Sequence, residues 1–191
     1  MHTTDAAKPK KGGEMDTVTI DANAIETMVQ RALAFCAEKT GCADKEEALQ
    51  AIRQGDCSAC GYVRYGLSKE IGAYLGDIDV SIQAVYTYEP EHCAGATERA
   101  IDEAELTRGI NLILSVDRRR AALSSIIASL EDAVRVVRQR LVCSKANGSC
   151  YTLDVKVADE QEVVSRRGYG ALISSIYARP LRVWAREESS S

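Results

Sequence analysis

Six apolar residues, Leu123, Ile127, Leu130, Val134, Val137 and Leu141, recur at alternating spacings of four and three. That heptad period belongs to a long helix with one apolar edge, and such an edge has to be covered. Two covers are available. Ile126 and Ala133 widen the stripe enough to pack on the chain's own sheet, or the seam closes on a second copy of the chain. Strand-like segments stand on both sides of it. Before it, Ile110, Leu112, Leu114 and Val116 alternate with period two, and after the CSKANGSC turn comes YTLDVKV.

The front of the chain is helical. Asp21 or Asn23 can cap a helix carrying Ile25, Met28, Val29, Ala32, Leu33 and Cys36, with Gly41 as its stop. Asp44, with Glu47 three residues on, opens a second helix in DKEEALQAIRQ. After the break GDCSACG, the positions Val63, Leu67, Ile71, Tyr74 and Leu75 mark a third helix ending near Gly76. From Ile78 the period becomes two, as far as Pro90. A polar connection that can hold a short helix leads to the Ile110 strand. Beyond YTLDVKV, a helix near 159–178, Pro180 and a last strand LRVWAR complete the chain. The order predicts an α+β fold, in which N-terminal helices precede a mixed or antiparallel sheet of about four strands covered by helices. Residues 18–186 are expected to form one domain, with a helical front over 18–76 and the sheet-containing part over 77–186. Residues 1–17 and 187–191 are expected to be flexible tails.

With 191 residues, 46% apolar and 27% charged, the chain can bury one sizeable core. No apolar run approaches the roughly 20 residues of a membrane helix, so no membrane partner is expected. The opening MHTTDAAKPKKGGEMD has no apolar stretch of the secretory kind. Seven cysteines cannot all pair within the chain, which points to a reducing cytoplasm. Cys36, on the apolar face of the first helix, reads as a small core residue. The net charge of −4 divides unevenly, because residues 1–105 carry 10 basic and 19 acidic side chains and residues 106–191 carry 14 and 9. Such an asymmetry suits either two halves with complementary fields or a basic face for an anionic partner.

The stretch GLSKEIGAYLGDIDVSI sets Asp77 and Asp79 one residue apart at the head of the first expected strand. On a strand, positions i and i+2 point to one side, so the two carboxylates could share a Mg²⁺ ion with Asp154, or with Asp117 behind it. Over residues 66–82 this resembles the nucleotidyltransferase signature of the polymerase-beta type, in which Gly-Ser precedes an acidic-x-acidic strand. The resemblance implies a divalent metal and a nucleotide triphosphate at Asp77 and Asp79. Here Gly66 is followed by Leu67, and Ser68 comes one position late. Asp154-Val155-Lys156 also resembles the acidic-x-Lys half of a restriction-type nuclease core, although a whole helix separates it from Asp117. The plain alternative is the solvated side of a half-buried sheet, which collects Asp, Ser, Thr and Lys.

Cys57-Ser-Ala-Cys60 has the spacing of half a zinc site, with His92 and Cys93 to complete it and Cys42 as an equal substitute. The plain alternative is a set of unligated thiols. Cys143 and Cys150 flank the Asn147-Gly148 turn, where a reducing cell would keep them apart. Arg118, Arg119 and Arg120 at the start of the long helix, with Arg166 and Arg167 before Gly168-Tyr169-Gly170, offer guanidinium forks suited to phosphates. Arginine runs are also commonly paired with acidic neighbours. With only His2 and His92 in the chain, histidine acid–base chemistry has little to build on.

These features point to a small cytoplasmic binding protein, adaptor or regulatory in role and homo-oligomeric through Leu123, Ile127, Leu130, Val134, Val137 and Leu141. Its partner would be itself, another protein, or a nucleic acid met through the arginine-bearing face. The alternative is a nucleotidyl- or phosphoryl-transfer enzyme using Mg²⁺ at Asp77, Asp79 and Asp154. The sequence names no substrate, and Mg²⁺ and Zn²⁺ are the cofactors its candidate sites would take.

Overall fold

The computed structural model describes residues 20–88, 109–141, 153–175 and 180–187. Three helices come first: α1 (Ala22–Thr40), α2 (Lys45–Arg53) and α3 (Cys57–Ile78). Their boundaries follow from local chemistry. Asp21 accepts the Asn23 N–H at 2.9 Å, and Gly41 ends α1 in the left-handed region at φ 76°. Asp44 Oδ1 accepts the Glu46 and Glu47 N–H groups, both at 2.9 Å, while the Glu47 carboxylate reaches back to the Ala43 N–H. Asp56 caps α3 through the Ala59 N–H at 2.7 Å. The break between α2 and α3 is therefore only Gln54, Gly55 and Asp56, and the Cys-x-x-Cys pair lies in the first turn of a helix.

The sheet has four strands, β1 (Ile82–Thr87), β2 (Ile110–Val116), β3 (Leu153–Asp159) and β4 (Leu181–Ala185), in the order β3-β2-β1-β4. β1 pairs antiparallel with β2 and with β4, and β2 pairs parallel with β3, so the sheet is mixed. The long helix α4 (Ala121–Leu141) makes the crossover between the parallel strands. Two short helices, α5 (Glu160–Ser165) and α6 (Gly170–Ile173), replace the single helix expected near 159–178. Arg166 at φ 53° and Gly168 at φ 51° break it, because two left-handed residues in three cannot continue a right-handed helix.

One apolar cluster joins the helices to a single face of the sheet. It runs from Ile25, Leu33 and Cys36 in α1 through Ile71 and Leu75 in α3 to Ile82, Val85, Leu112, Leu114 and Val183 in the strands. α3 lies against β1 and β4, α4 against β3, and α1 packs across α3 and α4. Ile113, fully buried between Leu112 and Leu114, alternates to the other face of the sheet, and α5 lies against β2 and β3.

The heptad edge is absorbed by this core. Leu123, Leu130 and Val134 are buried in the chain's own cluster together with Ile126, and Ile127 is half-buried against it. Over these residues the stripe faces the sheet and not a second copy. The side chains of Val137 and Leu141 lie outside the described residues, as do the tail expected over 1–17 and all but Glu187 of the one expected over 187–191.

The passage from α3 to β1 differs from its expected form. The helix does not stop at Gly76 but continues to Ile78, with Asp79 as its C-cap. The strand begins only at Ile82, and Val80, expected on the apolar face, is 62% exposed. Gly72 and Gly76 are small because the helix meets Trp184 of β4 there. A Cβ on Gly72 would sit 3.0 Å from the Trp184 Cβ, and one on Gly76 would overlap the indole ring. The glycines are contact points within the helix, not its end.

Candidate anion-binding rim

The parallel pair places the carboxyl ends of β2 and β3 side by side, with Val116 opposite Asp159. Arg118, Arg119 and Arg120 follow β2 directly, and Arg166 and Arg167 follow α5, which starts where β3 ends. Arg118, Arg119 and Arg120 thus stand beyond the carboxyl end of β2, and Arg166 and Arg167 follow the short helix that β3 runs into, to which Arg119 is tied through Glu162. In open sheets with helical crossovers, the crevice beyond the strand carboxyl ends is the usual place for a ligand.

Two of the five are already engaged. The Arg119 guanidinium donates to Glu162 at 2.8 Å, to Asp159 at 3.3 Å and to the Val157 carbonyl at 2.9 Å, tying the start of α4 to α5. Arg120 meets Asp79 at 3.6 Å. Arg118, Arg166 and Arg167 are exposed, and among the described residues none of them has a carboxylate partner. No acidic residue occupies the first turn of α4 itself, and the carboxylates nearest its start, those of Asp79, Asp159 and Glu162, come from other elements.

Asp159 is the hinge of this rim. It caps α5 by accepting the Glu162 N–H at 2.9 Å, and that bond, with Arg119 beside it, holds its carboxyl below the ordinary 3.8. A depressed carboxyl contributes stability above its unfolded value and loses it as pH falls towards the folded one. In melting curves across the acid range, Asp159→Asn is therefore expected to be less stable than the wild type at neutral pH. The difference should shrink as pH drops below 3.8.

The other predicted sites are placed differently. Asp77 is exposed on the last turn of α3, and Asp79 is 4% exposed, accepting the Ser81 N–H at 2.9 Å. Neither lies on a strand, so the same-side geometry expected for Asp-x-Asp does not arise. Asp154 stands opposite Asn111, at the far end of β2 from Val116, whose neighbour Ile82 follows Asp79 closely. Five residues of strand, about 17 Å at roughly 3.4 Å each, separate those ends, whereas paired metal ions lie about 4 Å apart. Asp154 is paired instead with Lys156 at 2.7 Å, and the Lys156 ammonium lies 5.8 Å from the Tyr169 ring centroid. Among the described residues no three His, Cys, Asp or Glu side chains are grouped to hold a metal ion. Asp117 lies beyond β2, its N–H donating to the Ser81 carbonyl at 2.9 Å.

The cysteines follow the helices. Cys57 is exposed, and Cys60 is buried with Sγ 3.9 Å from the Ile52 carbonyl. Cys36 donates to the Ala59 carbonyl at 3.4 Å, and burial pushes its thiol up. Cys42 accepts from Thr40 at 3.1 Å. His92 and Cys93, the other half of the expected zinc site, lie outside the described residues, as do Cys143 and Cys150.

Arg186 was not foreseen as important. Its guanidinium donates to the carbonyls of Gly76 at 2.7 Å, Asp79 at 3.3 Å and Ile82 at 3.1 Å, while stacking 5.5 Å from the Trp184 ring. It closes the C-terminal carbonyls of α3, where a cation is also favoured by the helix dipole. The only sequence signal was its place beside a lone tryptophan. No protein-family model, curated protein or solved structure matches this chain. No helix of the described residues is long and apolar enough to cross a membrane.

Proposed function

We propose that the protein is a cytoplasmic binding module, adaptor or regulatory in role, that engages an anionic partner through Arg118, Arg166 and Arg167. One observation supports the reading: Arg118, Arg166 and Arg167 are exposed without a carboxylate partner among the described residues, Arg118 shortly before α4 and the other two directly after α5. The strain at Arg166 supports it. Among the described residues Arg166 is the one non-glycine at positive φ, a position where glycine costs less by about 1 kcal/mol. An unpaired odd thiol count is the support for a reducing compartment. Self-association draws no support from the α4 stripe, which the chain's own core occupies.

The test is titration of the full chain with a labelled single-stranded oligonucleotide and, separately, with a labelled octaglutamate peptide, at low and at moderate salt. Binding of either is expected to weaken with salt. For the oligonucleotide, reversing all three arginines to Glu is expected to lower the log–log salt slope by about two. Arg166→Gly is expected to weaken binding while raising stability by up to about 1 kcal/mol. Absence of binding to both probes, or equal binding by the triple variant, overturns the proposal.

A further inference from the structure

A pocket of about 500 Å³ opens on the outer side of the helical front, lined by Phe35, Ser58, Gly61, Tyr62 and Tyr65. It is far in character from the arginine rim. Phe35 meets Tyr62 edge-on at 6.3 Å between centroids and Tyr65 at 5.6 Å in a tilted arrangement. Tyr62 is 39% exposed and Ser58 is exposed, so the rings form an accessible wall and not a core.

The floor of the pocket is the informative part. α3 contains four interior glycines, each costing a helix about 1 kcal/mol relative to alanine. Three have a reason inside the fold. A Cβ on Gly66 would press on Ala32 and Phe35 at 3.2 Å, and Gly72 and Gly76 make way for Trp184. Gly61 has none, since a Cβ there would meet nothing within 4 Å. The chain keeps a helix-weakening residue at the one place where its absence of a side chain only leaves room between aromatic rings.

The chemistry that fits that room is cationic. Aromatic faces carry negative charge density and attract ammonium and guanidinium groups. The site already shows this behaviour within the chain, because the Lys39 ammonium lies 5.5 Å from the Phe35 centroid, held by Glu38 at 2.9 Å. The helical front that carries the pocket is acidic as a whole, with ten acidic and six basic side chains over residues 20–79. The pocket is also shallow and open, which suits one side chain of an approaching segment better than an enclosed small molecule.

We infer that Phe35, Tyr62 and Tyr65 form a docking site for a basic segment of a partner protein, one lysine or arginine of which enters over Gly61 against the rings. The inference stands apart from the anion-binding rim, which uses other residues and the opposite charge.

The experiment is anisotropy titration of the full chain into labelled octalysine, with labelled octaglutamate run beside it as a probe whose behaviour Gly61→Leu is expected to leave unchanged. Gly61→Leu fills the pocket from a position with free space and is expected to leave the melting temperature unchanged or raised. Gly61→Leu and Tyr62→Ala are each expected to weaken octalysine binding by about tenfold, and Tyr62→Phe to preserve it. Equal binding by the filled variant would mean attraction to the acidic surface alone, and no binding by the wild type would leave the pocket without a cationic ligand. Either result overturns the inference. So does sedimentation as a dimer that Gly61→Leu converts to monomer, because the occupant would then be a second copy.

Discussion

Gly76→Val is expected to lower the unfolding free energy by about 3 kcal/mol, while Gly61→Ala, fifteen residues earlier in the same helix, is expected to raise it by about 0.5–1 kcal/mol. Both replace a helical glycine, so backbone propensity favours the alanine and does little for the β-branched valine. The difference is in the space outside the helix. A Cβ at Gly76 would overlap the Trp184 indole, and that ring cannot swing away freely because Arg186 stacks on it while donating to three carbonyls between the last turn of α3 and the start of β1. A Cβ at Gly61 would meet nothing. Urea unfolding of both variants, read by Trp184 fluorescence and by circular dichroism, checks the prediction. A Gly76→Val as stable as the wild type would mean that α3 does not approach β4 as closely as described.

Features set by neighbours in sequence were readable, and features set by distant contacts were not. Asp21, Asp44 and Gly41 act on backbone groups within four residues, so capping chemistry located α1 and the start of α2 from the letters alone. The β2 strand and the α4 stripe were likewise carried by period, which survives whatever they pack against. The α3–β1 junction failed for the opposite reason. Ile78, Val80 and Ile82 alternate as a strand would, but Ile78 still belongs to the helix, and Val80 sits in a turn that Arg186 holds from more than a hundred residues away. Gly76 looked like a stop because its reason for being small, Trp184, enters from the last strand.

The candidate sites divide in the same way. The arginines were visible as two runs, but only the parallel register of β2 and β3 sets the start of the first run beside Asp159. Only the positions of Asp79, Asp159 and Glu162 show that Arg119 and Arg120 are engaged. Asp77, Asp79 and Asp154 gave a metal triad on paper because a strand was assumed to carry the first two. The aromatic pocket left no mark in the sequence, since Phe35 on α1 meets Tyr62 and Tyr65 only across a helix crossing at Ala32 and Gly66.

Leu130→Ala carries the other large effect, an expected loss of about 3 kcal/mol with no change in oligomeric state. Leu130 is fully buried among the strands and helices of its own chain, so truncating it removes transfer free energy and leaves a cavity that a sheet-backed site closes poorly. If the α4 stripe instead formed a seam between copies, the same change would act through association. The loss would then vary with protein concentration, and the variant would sediment lighter than the wild type. Denaturant midpoints at two protein concentrations, together with sedimentation of both proteins, separate these cases. A midpoint that stays put on dilution places the stripe inside the fold, where the burial of Leu123, Ile126, Leu130 and Val134 puts it. A midpoint that falls on dilution would return it to the interface its heptad spacing first suggested.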